Sequence, residues 1–352
     1  MKNIRIGMIG SGTISDFHLQ AYRKNNQAVI HAICDLNQER AAQKMKQFGA
    51  ETYYTDYRDL LADSKVDAIS ICTWNHTHAG IAIEALNAGK HVLVEKPLAT
   101  SHEDALKAEE AAKRSGKILQ VGFVRRFDPN IQKLKTMIAL GELGDIYYAK
   151  ASSLRRLGNP GGWFADSKKS GGGPLIDIGI HIIDTCWYLM GCPEILSISG
   201  NTYKKLGQRE HIRGLSFYKA ADYGHAVNDV EDMANALIRF KNGASLAIDA
   251  SFTLHAKRDE ISMRVYGEKG GAEIEPEFFL VSEKYHTILN MTPQTDSRSL
   301  DIDRAFDNEI DHFVDCCIKN IQPISPARHG AEVMKIIGGI YESAKLGREI
   351  LF

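Results

Sequence analysis

Residues 4 to 15 read Ile-Arg-Ile-Gly-Met-Ile-Gly-Ser-Gly-Thr-Ile-Ser, an apolar run followed by two glycines and the start of an amphipathic stretch. The run Ile4–Ile9 predicts a strand, and Ile14–Lys24 predicts a helix. Gly10 permits the tight turn between them, and Gly12 allows the backbone to approach a phosphate at the helix N-terminus. A strand, a glycine turn and a helix in this order predict the first unit of a dinucleotide-binding sheet.

Short apolar runs and amphipathic stretches alternate through the first third of the chain. This alternation predicts a parallel sheet with right-handed crossover helices. The predicted strands after the first are Val29–Cys34, Val66–Cys72, His91–Val94 and Ile118–Gly122, and the predicted helices are Gln38–Phe48, His78–Ala88 and His102–Arg114. We therefore expect an α/β dinucleotide-binding domain in residues 1–122.

Residues 123–352 have a different pattern. Apolar runs follow one another through turns such as Lys241-Asn242-Gly243, a hairpin signal that predicts antiparallel pairing. The predicted strands are Ile146–Ser152, Ile195–Thr202, Ala234–Phe240, Ser245–Phe252 and Ile261–Tyr266, with helices at Pro129–Leu140, Pro174–Met190, Arg304–Lys319 and Ala327–Leu346. We expect an α+β domain with one large, mostly antiparallel open sheet, whose uncovered face suits a homodimer or homotetramer.

The size and composition of the chain argue against several classes of protein. With 352 residues the chain is long enough for two domains, and its formal net charge of -1 gives no case for nucleic acid or an anionic membrane surface. No apolar run reaches the roughly 18 residues that a membrane-spanning helix needs, and a strand beginning at Ile4 leaves no room for a signal peptide. The six cysteines form no Cys-x-x-Cys pair, which indicates reduced, buried thiols in a cytoplasmic protein and no zinc site.

Asp35 ends the second predicted strand, 20 residues after Ser15. An acid at this position hydrogen-bonds the adenosine ribose and repels a 2′-phosphate, which favours NAD over NADP. Arg40 is close enough along the chain to leave NADP use possible. The plainer alternative is that Asp35 only caps the next helix. The predicted cofactor loop combines Asp35 with Gly10, Ser11, Gly12, Thr13 and Ile14.

A polar loop, residues 73–78, follows the strand that ends at Cys72. We expect it to line the cofactor through Thr73, Trp74, Asn75 and His78. An ordinary turn with a capping or solvated histidine is the alternative.

A charged pair, Glu95 and Lys96, stands at the end of the apolar run Val92-Leu93-Val94 and precedes Pro97. Ligands collect at the carboxyl ends of the strands in open α/β sheets. A lysine near a cationic nicotinamide has its charged form disfavoured, which makes Lys96 a usable acid–base group. The alternative is a surface lysine paired with Glu95.

Asp177 and His181 are four residues apart on a predicted helix and therefore share one face. They follow Gly171-Gly172-Gly173, which we interpret as allowing a ligand to approach the backbone closely. In this interpretation His181 takes a hydroxyl proton, and Asp177 orients it or binds a neighbouring hydroxyl. A capping aspartate with a core histidine is the plainer alternative, and no third ligand supports a metal pair.

Two further side chains are candidates for a substrate pocket. Arg155 and Arg156 follow a predicted strand and point to opposite faces, so only one of them can face a site, and we assign Arg156. Trp163 precedes the glycines and could wall the nicotinamide side. Salt bridges and core packing are the alternatives for these residues.

Together these motifs resemble the Gfo/Idh/MocA family, which includes glucose–fructose oxidoreductase and inositol dehydrogenase. The resemblance covers nearly the whole chain. It rests on Gly10-x-Gly12 with Ile14 and His18, Asp35, Thr73-x-Asn75-x-x-His78, Glu95-Lys96-Pro97, Gly122-Phe-Val-Arg-Arg-Phe-Asp128, Gly171-Gly-Gly173, Asp177-x-x-x-His181 and Val230-Glu231-Asp232. Two positions depart from the family pattern, because Trp74 replaces a usual proline and Ser15 replaces the last glycine.

The resemblance implies a Rossmann domain followed by an open-sheet domain, with NAD(P) and a polyol or sugar as ligands. It implies that Lys96, Asp177 and His181 form the catalytic set, that Glu95 contacts the nicotinamide ribose, and that Arg125 lies near the substrate. The expected activity is NAD-dependent oxidation of a ring hydroxyl, similar to that of inositol 2-dehydrogenase. A hydrolase that uses bound NAD transiently, a non-catalytic NAD-dependent sensor and an aldehyde or imine reductase remain alternatives.

Overall fold

The computed structural model describes residues 3–220 and 227–352. The chain divides into two compact units. The first contains the residues up to Phe127 together with Ile302–Met334, and the second contains Asp128–Asp301 and Lys335–Phe352. The sequence predicts a single domain boundary after residue 122. In the structure, the chain returns to the first unit at Ile302–Met334, so that unit consists of two segments.

The sheet of the first unit is parallel throughout its six strands. Chain order reverses between its first and fourth strands, and such a switch point is where ligands bind in open α/β sheets. The strands are β1 (Ile4–Ile9), β2 (Ala28–Cys34), β3 (Thr52–Tyr54), β4 (Ala68–Ile71), β5 (His91–Glu95) and β6 (Leu119–Gly122), in the order β3-β2-β1-β4-β5-β6. The helices between them are α1 (Thr13–Lys24), α2 (Gln38–Phe48), α3 (Tyr57–Ala62), α4 (His78–Asn87) and α5 (His102–Ser115). The parallel α/β fold predicted from the sequence is confirmed, and β3 and α3 are additions to it.

The returning segment completes the core of the first unit. The helix α9 (Ile302–Lys319) buries Ile310, Phe313 and Val314 in one cluster with residues of β1, β2 and α1. Earlier on the same helix, the Phe306 ring stacks on Phe17 of α1 with 4.9 Å between centroids. These buried apolar contacts place α9 in the first unit, where its amphipathic face covers the parallel sheet.

The second unit contains a larger sheet of nine strands. Every strand pairing in it is antiparallel except that of β7 with β10. The strands are β7 (Ile146–Leu154), β8 (Ile195–Tyr203), β9 (Met233–Phe240), β10 (Ser245–Ser251), β11 (Glu260–Gly267), β12 (Gly270–Glu275), β13 (Phe279–Lys284), β14 (Thr287–Met291) and β15 (Ile350–Leu351), in the order β14-β13-β12-β11-β7-β10-β9-β8-β15. The predicted α+β fold with a mostly antiparallel sheet is confirmed.

The two faces of this sheet differ in composition. Ala149, Leu246 and Val265 lie side by side on one face and are fully buried. On the other face the rings of Tyr148 and Tyr266 stack with 5.7 Å between centroids, beside polar side chains that are partly or fully exposed. A sheet that is apolar on one face and mixed on the other is typical of antiparallel folds.

The remaining helices are α6 (Pro129–Ala139), α7 (Ser167–Ser170), α8 (Ile180–Leu189) and α10 (Ala327–Leu346). A π-helical turn, Leu175–Gly179, leads directly into α8, so the predicted helix Pro174–Met190 is not α-helical throughout. Among the described residues, no helix is both long enough and apolar enough to cross a bilayer.

We expect Phe313→Ala to lower the free energy of unfolding of the first unit by about 3–5 kcal/mol, because it removes a fully buried ring from the core. Urea denaturation measures this. Ile318→Ala, at an exposed position of the same helix, is the matched control and should stay within about 0.5 kcal/mol of the unsubstituted protein. Equal effects of the two substitutions would contradict the place of α9 in this core.

Candidate active site

Gly10 holds the turn at the end of β1 because no side chain fits there. Its φ is +86°, and a Cβ atom would lie 2.6 Å from the carbonyl oxygen of Cys72, which follows β4. On the other side, the Gly10 amide donates to the carbonyl of Cys34 at the end of β2 with a distance of 2.9 Å. The chain therefore leaves the sheet through a gap between two strand ends that only glycine can occupy.

Gly12 is required for a different reason. It is the N-cap of α1, no side chain caps this helix, and a Cβ at Gly12 would meet no atom within 4 Å. Packing therefore does not demand glycine here. An uncapped helix N-terminus with open space beside Gly12 suits a phosphate group. This part of the loop fits the pyrophosphate of a dinucleotide.

Ser15 takes the position of the last glycine of the motif. It is fully buried, and its hydroxyl donates to the carbonyl of Gly12 with a distance of 2.6 Å. A small side chain whose polar atom is satisfied locally preserves the start of α1. The next residues along the loop differ in role, because Thr13 begins the helix and Ile14 packs against the core.

The Asp35 carboxylate is the centre of a network at the end of β2. Its Oδ2 accepts hydrogen bonds from the Ser11 amide at 2.8 Å and the Ser11 hydroxyl at 2.9 Å, and its Oδ1 accepts from the Asn37 amide at 2.8 Å. The guanidinium of Arg40 donates to both oxygens, with distances of 3.1 and 2.8 Å. This carboxylate therefore holds the glycine loop in place. It also forms an ion pair with Arg40, the cation that leaves NADP use possible.

Burial raises the pKa of Asp35, but the hydrogen bonds from Arg40, Asn37 and Ser11 outweigh it and lower the pKa below its usual value. The side chain is therefore ionised at neutral pH. A fixed negative charge at this point suits ribose hydroxyls, which can donate to it, better than a 2′-phosphate.

The loop after β4 is tied to the loop after β5 by His78. Its Nδ1 lies 2.7 Å from the carbonyl oxygen of Pro97, and its Nε2 lies 3.0 Å from that of Thr73. Burial lowers the pKa of His78, although the two carbonyls act in the opposite direction. The buried ring thus holds together the loops that contain the candidate cofactor residues, while Trp74 is exposed and stacks on His76.

Glu95 is buried at the end of β5, and both of its oxygens have partners in the protein. His18 of α1 contacts Oε1 through Nε2 at 2.9 Å, and the Lys96 amide donates to Oε2 at 3.1 Å. The other ring nitrogen of His18 lies 2.9 Å from the Ser70 hydroxyl. Lys96 is half-buried and directly follows this network. The backbone at Lys96 is therefore anchored to α1 through two buried side chains.

The two adjacent arginines after β6 have different surroundings. Arg126 is fully buried, and its Nη1 donates to the Ile324 carbonyl at 2.7 Å and lies 2.8 Å from His329 Nδ1. Its role is structural, within the first unit. Arg125 is half-buried in the same 3₁₀ turn and is the member of the pair that remains a substrate candidate.

In the second unit, the turn before α8 presents Asp177 and His181. Every other residue from 172 to 187 is buried, whereas these two are half-buried. Asp177 lies within the π-helical turn, and His181 lies in the first turn of α8. π-Helical turns are rare and are frequent at functional sites. The expected common face is therefore present, and it is the accessible part of an otherwise buried helix.

The glycines before this turn serve packing. A Cβ at Gly172 would lie 2.0 Å from the Tyr341 hydroxyl oxygen, and one at Gly173 would lie 2.4 Å from the carbonyl oxygen of Glu231. The interpretation that they admit a ligand is thus corrected for these two positions, because protein atoms occupy the space beside them. The Glu231 carboxylate accepts from the amides of Gly173 and Leu175.

The other substrate candidates of the second unit lie outside this turn. Arg156 is exposed, and its Nη1 donates to the Lys257 carbonyl at 3.1 Å. Trp163 is half-buried and stacks on Phe164 with 3.9 Å between ring centroids. Arg156 is therefore held by a neighbouring loop, while Trp163 belongs to an aromatic pair.

The structure brings the cofactor candidates together in the first unit and Asp177 with His181 in the second. Lys96 belongs to the first unit, so its meeting with those two remains a prediction. His18, Glu231 and Tyr341 are supporting residues that the sequence alone does not identify. The sequence signal for the first two is their place in the quoted motifs.

Gly10→Ala should lower the stability of the fold, whereas Gly12→Ala should weaken NAD binding. We expect Gly10→Ala to lower the free energy of unfolding by about 2 kcal/mol or more, because alanine is strained at the positive φ of this position and its Cβ would clash with the backbone. Gly12→Ala should leave stability unchanged and raise the Kd for NAD about tenfold or more. Thermal unfolding and cofactor titration measure the two effects. Unchanged NAD affinity in folded Gly12→Ala would contradict the assigned phosphate position.

Two family models match the chain. Residues 4–123 match the oxidoreductase family with an NAD-binding Rossmann fold, and residues 135–351 match the C-terminal alpha/beta domain of the same oxidoreductase family. The match to the first confirms that this unit is an NAD-binding Rossmann domain.

Individual proteins are similar over much of the chain. D-Glucoside 3-dehydrogenase of Escherichia coli (strain K12) is 31% identical over 99% of this chain and 97% of its own. Myo-inositol 2-dehydrogenase of Thermotoga maritima is 31% identical over 76% of this chain and 74% of its own. A solved levoglucosan dehydrogenase, in complex with NADH and L-sorbose, is 25% identical with a TM-score of 0.88 and covers 100% of this chain and 99% of its own. The chain belongs to the Gfo/Idh/MocA family of oxidoreductases.

Proposed function

We propose that this oxidoreductase transfers hydride from a ring CH–OH carbon of a sugar or cyclic polyol to NAD. The observation that carries the proposal is the pair Asp177 and His181, the only residues from 172 to 187 that are not buried. A buried helix whose accessible residues are a carboxylate and an imidazole is suited to moving the proton of a hydroxyl group.

In the proposed reaction the alcohol loses a proton and a hydride and becomes a carbonyl. His181 takes the hydroxyl proton, and Asp177 orients His181 or binds a neighbouring hydroxyl. Lys96 hydrogen-bonds the same oxygen while charge develops on it. A bound dinucleotide, which the loop from Gly10 to Ile14 and Asp35 would hold, would supply the hydride acceptor. The hydrogen bonds of Glu95 and Glu231 hold the backbone that carries the catalytic side chains in place before substrate binds. This preorganisation lowers the entropic part of the activation barrier.

The names of the relatives support a cyclic substrate with several secondary hydroxyls. A D-glucoside 3-dehydrogenase and two inositol dehydrogenases are each 31% identical to this chain, over 99%, 76% and 91% of its length. Both substrate classes present a ring carbon flanked by hydroxyls. The stacked pair Trp163 and Phe164 offers an aromatic surface to the apolar face of such a ring, and Arg125 and Arg156 are donors for its hydroxyls. We propose that the substrate is a pyranoside or an inositol.

The open face of the large sheet supports a homo-oligomer. Tyr148 and Tyr266 lie on this face with Ala247 and Leu237, so it carries apolar area among its charged groups. Pairing with a second copy would cover it. We propose a homodimer or homotetramer, and sedimentation analysis tests it. The cytoplasmic location remains a prediction from the sequence.

The test of the proposed activity is a substrate panel followed by absorbance of reduced nicotinamide. Purified protein with NAD or NADP is mixed with methyl glucosides, levoglucosan, free hexoses and inositol isomers. Accumulation of NADH with a pyranoside or inositol is the expected result. Release of the aglycone from a glucoside without net NADH would contradict the proposal and indicate a hydrolase with transient redox. NAD binding with no reaction of any substrate would indicate a sensor.

Lys96→Ala should lower kcat about 10²–10⁴-fold and change the Kd for NAD only a few-fold, because the lysine acts on the reacting oxygen. Steady-state kinetics and cofactor titration separate the two effects. Lys107→Ala, at an exposed position of α5, is the control and should keep full activity. Unchanged turnover in Lys96→Ala would remove Lys96 from the catalytic set.

Arg40→Ala should weaken NADP binding about tenfold or more and leave NAD binding unchanged or improved. The reason is that Arg40 is a cation beside the proposed ribose position and also occupies both Asp35 oxygens. Fluorescence titration with each cofactor measures the two affinities. Arg58→Ala, an exposed arginine of the same unit, is the control. Equal losses for NAD and NADP would contradict this role of Arg40.

A further inference from the structure

We propose that Glu231, held by Tyr341, is a positioning residue that sets the place of Asp177 and His181 without touching the substrate. This inference rests on the proposed function, because it assigns those two residues to proton transfer. Glu231 lies just before β9, far along the chain from the turn that it holds.

The contacts are made at the start of the turn. Glu231 Oε2 accepts from the Gly173 amide at 2.9 Å, and Oε1 accepts from the Leu175 amide at 3.2 Å. The Tyr341 hydroxyl of α10 donates to the same Oε1 at 2.9 Å. Amides at the start of a helix lack partners within the helix, so one carboxylate satisfies two of them. The first of the two assigned residues, Asp177, follows Leu175 by two positions.

The glycines of this turn are closely packed against other segments of the second unit. Gly172 is directly against the Tyr341 hydroxyl, and Gly173 is directly against the Glu231 backbone, so that a methyl group at either position would clash. Further along, a Cβ at Gly179 would lie 3.2 Å from Ala250 Cβ of β10. The π-helical turn is therefore closely packed at both ends. A change in the Glu231 carboxylate removes a partner of the amides of Gly173 or Leu175, so we expect a small displacement of the backbone that carries Asp177.

The neighbours of Glu231 anchor other segments in the same way. Asp229 accepts from the Ser167 amide at 2.7 Å and from the Ser167 hydroxyl at 2.8 Å. Asp232 accepts from the amides of Leu206 and Gly207 at 2.5 and 3.1 Å. Residues 229–232 thus use three carboxylates to hold three separate segments of the second unit. Glu231 is the member of this set that holds the candidate catalytic turn.

A carboxylate at this position loses favourable solvation of its charge. Burial raises the pKa of Glu231, although the amides of Gly173 and Leu175 and the Tyr341 hydroxyl oppose the shift. Burial also raises the pKa of Tyr341, which therefore donates as a neutral phenol. A glutamine would carry no charge, but it offers one acceptor oxygen for three donors. The geometry thus requires two acceptor oxygens rather than a generic polar cap.

The test is Glu231→Gln, in which an NH₂ group faces an amide donor. We expect kcat to fall about tenfold to hundredfold, as for a small displacement of a catalytic group. The Kd for NAD should not change, and the pH profile of kcat/KM should shift, because the surroundings of His181 change. A loss that reflects unfolding alone would lower the active fraction and leave KM and the pH profile as they were.

Tyr341→Phe and Glu349→Gln complete the experiment. Tyr341→Phe removes one donor, should lower kcat less than Glu231→Gln, and should combine with it non-additively. Glu349 accepts from Ser197 of β8 and from Arg239, near the end of β9 that is remote from Glu231, so Glu349→Gln is the matched control and should leave kcat unchanged. Equal kinetics of Glu231→Gln and Glu349→Gln would overturn the proposal.

A readout without turnover separates this inference from the proposed function. The imidazole protons of His181 are titrated by NMR in the unsubstituted protein, Glu231→Gln and Glu349→Gln. A changed titration in Glu231→Gln alone supports the positioning role, even if no substrate in the panel reacts. An unchanged His181 titration in folded Glu231→Gln would overturn the role, even if the dehydrogenase activity is found.

Discussion

The cofactor half of the protein depends on the close approach of three strand ends around Gly10. The Gly10 amide donates to the Cys34 carbonyl after β1 turns, and the carbonyl of Cys72 occupies the place where a Cβ would stand. This constraint directs the chain from β1 into α1 and brings Ser11 to Asp35. The uncapped start of α1 and the acid at the end of β2 are both positioned by this turn, so the proposed phosphate and ribose positions depend on the same residues.

Both units fix their functional backbone with carboxylates that accept main-chain amides. Asp35 holds Ser11 and Asn37 in the first unit, and Glu231 holds Gly173 and Leu175 in the second. In each case the carboxylate receives further donors, from Arg40 or Tyr341. Such networks keep irregular loops in one conformation, so the side chains that contact ligands need not be ordered at the moment of binding.

The elements of the first unit were predictable because local periodicity and turn residues define them. The spacing of Asp177 and His181 also predicted a shared face, and these are the residues left accessible there. The return of α9 was not predictable, because an amphipathic pattern does not say which sheet a helix covers. The contact of Tyr341 with Glu231 spans 110 positions, and no local signal encodes it. A run of glycines indicates that some group lies close to the backbone. At Gly172 that group is the Tyr341 hydroxyl, which only the folded structure identifies.

Hydride transfer from a ring carbon to the nicotinamide is the central claim, and isotope labelling tests it most directly. The protein is given NAD and a pyranoside or inositol deuterated at its ring carbons, and the reduced cofactor is analysed by mass spectrometry. We expect the reduced nicotinamide to carry one deuterium from the substrate. Reduced cofactor without deuterium, or a converted substrate with no reduced cofactor released, would contradict it.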